Sequence, residues 1–109
     1  MRWPLVVALV LSATPKIAVP VPSTGDALYR TACAYCHGAH GQGGVRRHAP
    51  PLWGPHSQLL KGAYDTPNAL RQFIQHNMPL EPVNGINPGS LTEPQATSLT
   101  KYILHHYHA

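Results

Sequence analysis

Ala96, Leu99, Ile103 and Tyr107 recur at steps of three, four and four, the spacing that lines one face of an α-helix. Thr92-x-x-Gln95 just before them has the form of a capping box, and Pro94 is tolerated in a first turn. A second stripe, Ala69, Leu70, Phe73 and Ile74, follows Thr66 as N-cap and Pro67 as first helical residue. It predicts a helix to about His76, with Asn77 as a left-handed stop and Pro79 blocking continuation. A third helix is predicted from about Gly25 to Ala34, with Ser23 or Thr24 as N-cap and Asp26 in the first turn. It would bury Leu28, Tyr29 and Ala32 and deliver Cys33 at its end. Nothing in the chain alternates with the period of a strand, and no repeat is present.

Between these helices run long loops rich in glycine and proline, one holding Gly38, Gly41, Gly43 and Gly44, another Pro50-Pro51-Leu52-Trp53-Gly54-Pro55, a third residues 80–91. Such loops are unusual in a small domain unless they wrap something. The glycine-rich one has neither a phosphate-loop Lys-Ser/Thr nor a preceding strand, so it is not read as a phosphate cradle.

The N-terminus reads differently. Arg2 precedes an unbroken apolar run from Leu5 to Leu11, and small residues follow at Ser12, Ala13 and Ala18, the layout of an export signal. The run is too short to span a bilayer, which takes about 20 apolar residues. Cleavage is expected after Ala13 or Ala18, with an uncleaved interfacial anchor as the alternative, because Leu11 or Lys16 would stand at the −3 position. Residues 1–22 are therefore assigned to signal and tether, the latter Val19-Pro20-Val21-Pro22, and residues 23–109 to one domain.

At 109 residues with a single phenylalanine, such a domain has a thin apolar core of its own. The net charge of +4 falls to +2 if residues 1–18 are removed. Arg46-Arg47 is the only basic doublet and has no interleaved aromatics, so nucleic acid is excluded as a partner. Membrane contact is expected only through an uncleaved N-terminus.

Chemistry enters at Cys33-Ala34-Tyr35-Cys36-His37, which holds the only two cysteines. In C-x-x-C-H the two thiols add to the vinyl groups of a haem and the histidine ligates its iron. A thioredoxin-type pair would need a preceding strand, which is lacking. Half a zinc site completed by other histidines, or a simple disulfide, are the remaining readings. The iron's second ligand is read as Met78, which projects from a helix end inside Asn77-Met78-Pro79; the other methionine is Met1. Core filling is the bland alternative for Met78, and His76 is the competing ligand. Apolar neighbours expected around the ring are Leu52, Leu70, Phe73, Ile74 and Leu99, with Trp53, Arg46 and Arg47 as speculative propionate partners whose default readings are packing for Trp53 and solvated surface for the arginines. The clustered His105, His106 and His108 are read as solvated, a surface metal patch being the lesser alternative.

Over about residues 24–107 the chain resembles the class I c-type cytochromes, on Gly25-x-x-x-Tyr29, Cys33-Ala34-Tyr35-Cys36-His37-Gly38, Pro50-Pro51-Leu52-Trp53-Gly54, Asn77-Met78-Pro79 and the helix from Leu91 to Leu104. The resemblance implies an all-α, class I cytochrome c fold, about three main helices and Gly/Pro-rich loops wrapped around one covalent haem c with its iron. It implies a crossing of first and last helices, with Gly25 and Tyr29 against Tyr102 or Ile103. It also implies a proline carbonyl, best Pro50 and otherwise Pro51, accepting from the Nδ1–H of His37. The site it implies is Cys33 and Cys36 as haem thioethers, His37 and Met78 as iron ligands, and Pro50, Leu52 and Trp53 against the cofactor.

More narrowly, the Pro-Pro-Leu-Trp-Gly and Phe73-Ile74-x-x-Asn77-Met78-Pro79 stretches are similar to haem domains of thiosulfate-dehydrogenase-type cytochromes. Those enzymes carry two haem motifs and a cysteine ligand at the reactive haem; this chain has one motif and no third cysteine. The expectation is an exported, periplasmic electron carrier without enzyme activity, taking electrons from a dehydrogenase and passing them to an oxidase or another cytochrome. The alternatives are a haem enzyme or ligand sensor with a labile Met78, the electron-transfer subunit of a sulfur-compound dehydrogenase, and a binding module without haem.

Overall fold

The computed structural model describes residues 21–109, so the expected export segment, its cleavage site and most of the tether lie outside the described residues. The first helical rod is α1 (Gly25–Leu28), a π-helical turn (Tyr29–Cys33) and α2 (Ala34–His37) in unbroken succession. It runs three residues beyond the expected end at Ala34, so the whole haem-attachment motif is helical. Thr24 starts it in extended conformation, but its side chain makes no capping bond.

Helix α3 (Pro67–Asn77) begins where its cap chemistry places it, with the Thr66 hydroxyl accepting from the Ala69 amide at 3.1 Å. Its end differs from expectation. Asn77 stays helical and its side-chain amide donates to the Phe73 carbonyl at 3.2 Å. The break comes at Met78, at φ −101° and ψ 150°, the extended conformation that a following proline imposes on its neighbour. Helix α4 (Glu93–Tyr107) opens with the full capping box: Gln95 Oε1 accepts from the Thr92 amide at 2.8 Å and Thr92 Oγ1 from the Gln95 amide at 3.3 Å.

Helix α4 packs against both α1 and α3. At the first crossing a Cβ on Gly25 would lie 2.7 Å from the Ser98 carbonyl oxygen and 2.9 Å from Tyr102 Cβ, so only glycine permits that approach. Leu28, Tyr29, Leu99 and Ile103 are fully buried there, each large side chain contributing about 1.5–3 kcal/mol. Leu70 and Ile74 of α3 extend the same core. The rest of the described residues are loop, apart from one antiparallel bridge between Val83 and Ile86. Among the described residues no helix is long and apolar enough to cross a membrane.

Candidate haem site

The rod, α3 and the loops enclose one cavity of about 330 Å³, within the range of small-molecule sites, about 300–1,000 Å³. Its walls are mostly apolar, with Leu52, Leu70, Phe73 and Ile74 among them. Cys33, Cys36, His37, Pro50 and Met78 line it too.

His37 is buried at the end of α2, and its Nδ1 lies 2.9 Å from the Pro50 carbonyl oxygen. A carbonyl only accepts, so Nδ1 carries the proton and Nε2 keeps a free lone pair. Burial depresses the pKa of this imidazole, partly offset by the Pro50 bond, and holds the ring neutral. The surrounding backbone is pinned as well. The Gly43 amide donates to the His37 carbonyl at 2.7 Å, and the Tyr29 hydroxyl to the Gly38 carbonyl at 2.7 Å. Pro50, not Pro51, is thus the proline that faces the ring.

Burial, with the neighbouring Cys36 as a lesser cause, pushes the Cys33 thiol up to about 12. A thiol so far from ionising is a poor member of an exchanging redox pair. Among the described residues no three His, Cys, Asp or Glu side chains gather as a metal-ion site. Met78 is half-buried against the core, its amide donating to the Ile74 carbonyl at 3.1 Å. His76, its competitor, is exposed and off the cavity.

Two expected neighbours lie elsewhere. Trp53 is not on the cavity: it packs on Tyr29 (centroids 5.1 Å), stacks on His106 (4.6 Å) and covers Gly41. Leu52 and Trp53 are adjacent but point apart, one lining the cavity and the other bracing the helix crossing. Leu99 also faces that crossing rather than the cavity. Of the arginines, Arg46 lies over the Tyr35 ring at 4.1 Å. Arg47 is on the cavity rim, bonded to both carboxylate oxygens of Glu81 at 3.0 and 3.1 Å. Glu81 went unnoticed in the sequence because its partner is 34 residues away.

A mostly apolar slot with two thiols, a neutral imidazole with a free Nε2, and a thioether fits a flat macrocycle fixed through sulfur. Residues 22–106 match the family described as Cytochrome c. The chain is 36% identical over 86 residues to a thiosulfate dehydrogenase of Allochromatium vinosum, covering 75% of this chain and 30% of that protein. It is 34% identical over 85 residues to a thiosulfate dehydrogenase of Stutzerimonas stutzeri, covering 75% and 26%. The solved thiosulfate dehydrogenase of Marichromatium purpuratum superposes with a TM-score of 0.58 at 36% identity, over 72% of this chain and 16% of that one. The chain therefore spans less than a third of the length of these relatives. It belongs to the cytochrome c family, with the all-α class I fold, covalent haem c as its cofactor and electron transfer as its chemistry.

Proposed function

We propose that this chain is an exported, periplasmic single-haem electron carrier in which His37 and Met78 hold the iron. The observation that carries this reading is the convergence of Cys33, Cys36, His37 and Met78 on one apolar cavity. When bound, the haem supplies one-electron ferric/ferrous chemistry. The chain does the rest. Cys33 and Cys36 fix the ring covalently, and Pro50 orients His37 and keeps Nε2 available. Met78 offers a thioether, which favours the ferrous state and raises the potential. Leu52, Leu70, Phe73 and Ile74 exclude water and act in the same direction. With both His37 and Met78 holding the iron, no ligand position would be left for a substrate. The carboxylate on the rim, Glu81, is occupied by Arg47 rather than free for proton transfer. Its partners would be redox proteins, a dehydrogenase upstream and an oxidase or another cytochrome downstream.

A finer reading, the electron-transfer subunit of a sulfur-compound dehydrogenase, is favoured by the identity to two thiosulfate dehydrogenases. With Cys33 and Cys36 committed to thioethers, no cysteine remains to ligate a reactive iron, so the electron-carrying part is the one proposed. Met78→Ala tests the ligation. The haem should stay attached while the ferric iron turns high-spin and the ferrous iron binds carbon monoxide at once. An unchanged spectrum in that variant would remove Met78 as ligand, and with it the closed carrier.

A further inference from the structure

We propose that Asn84 is a positioning residue for Met78: its side-chain amide latches the loop after Met78 onto the helical rod that carries the haem cysteines. The proposal rests on the Met78 ligation above and adds to it what holds that ligand in place.

The latch begins with a shortage of donors in the rod. The Ala34 amide donates back to the Tyr29 carbonyl and the Gly38 amide to the Ala34 carbonyl. Between them lie the carbonyls of Arg30, Thr31, Ala32 and Cys33, but only the amides of Tyr35, Cys36 and His37. The π turn thus leaves one carbonyl too many, in the turn that delivers Cys33, and a backbone acceptor there calls for an outside donor. Asn84 Nδ2 donates to the Thr31 carbonyl at 2.8 Å, across 53 residues of sequence.

Asn84 can do this because its own backbone is rigid. Asn84 and Gly85 are the central pair of a two-residue turn, at φ 50° and 79°. The flanking Val83 and Ile86 exchange both amide bonds, at 3.0 and 2.9 Å, and are buried at 4% and 3% exposure. Asn-Gly is the pair such a turn favours. The turn closes the segment Pro79–Val83, which lines the cavity directly after Met78. Met78 is therefore held on its N-terminal side by the last turn of α3 and on its C-terminal side by this loop. Both of the loop's side-chain tethers, Arg47–Glu81 and Asn84–Thr31, lie at the surface; the ion pair contributes little there, whereas Asn84 donates to a turn that is one donor short. Asn84 is the tether to the rod itself.

Losing one such bond shifts a closed-to-open equilibrium by about threefold. Because a competing ligand binds only the open form, its apparent affinity rises by the same factor. The test is imidazole binding to the ferric holoprotein. Asn84→Gly keeps the positive-φ turn and deletes the donor; Asn84→Asp keeps the turn and sets a carboxylate against the carbonyl. Both should bind imidazole about threefold more tightly with haem content unchanged. Thr92→Ala, which weakens the α4 cap just after the loop but takes no part in the Asn84 bond, should lower thermal stability and leave imidazole affinity alone. Wild-type affinity in both Asn84 variants, with the wild-type iron thioether-ligated, overturns the latch and spares the ligation. An equal rise in Thr92→Ala also overturns it, because general loosening then suffices. A wild-type iron without a thioether ligand overturns both.

Discussion

The Pro50 carbonyl can accept but never donate, and it sits 2.9 Å from Nδ1 of a buried His37. That contact fixes the tautomer and leaves Nε2 as the nitrogen that would meet the iron. The residue types at Cys33, Cys36, His37 and Met78 were legible in the sequence because each carries chemistry that few other side chains can supply. Trp53 has its default packing role at the helix crossing and not the place against the cofactor that the resemblance implied, because it and Leu52 point apart. Asn84 and Glu81 were invisible because their partners are 53 and 34 residues away. Cys36→Ala belongs at this scale. It should leave haem bound through Cys33 alone, shift the pyridine haemochrome toward that of a haem with one free vinyl, and collapse the yield of folded protein. A normal haemochrome and yield would contradict thioether formation at Cys36.

Helix boundaries were readable where a local cap sets them, at Thr66-Pro67 and Thr92-x-x-Gln95, because those bonds span only three residues. They were misread where tertiary structure intervenes. Periodicity does not encode the π turn, and Pro79, not a left-handed Asn77, ends α3. Thr92→Ala should cost about 1 kcal/mol of stability through the lost cap. The α1–α4 crossing gives a sharper test. A methyl at Gly25 meets the Ser98 carbonyl at 2.7 Å, whereas one at Gly62 meets nothing within 4 Å. Gly25→Ala should destabilise by about 1–3 kcal/mol, a fall in Tm of about 4–8 °C per kcal/mol for a domain of this size. Gly62→Ala should stay within about 0.5 kcal/mol of wild type. Equal melting temperatures would mean that the crossing is not close-packed.

For the whole molecule, the helices pack at one side of a cavity whose other walls are loops. Those loops, residues 38–66 and 79–91, have little regular structure of their own. Their length and glycine and proline content signalled a wrapped ligand, but the path each takes could not be read without it. A haem in that cavity would be much of the core, so folding and cofactor attachment are expected to be one process. Chain made in a host without haem maturation should lack most of the helical circular dichroism of the holoprotein; a native-like spectrum would show that the helices fold unaided. With residues 1–18 removed as expected for an export signal and two propionates added, the net charge would be near zero, and electron transfer to a partner should depend weakly on ionic strength. A steep fall with salt would point to charge-steered docking instead. The most direct measurement is a magnetic circular dichroism spectrum of the wild-type holoprotein in both oxidation states. The account predicts six-coordinate, low-spin iron with imidazole and thioether ligands in each. High-spin iron, or two imidazoles, would contradict it.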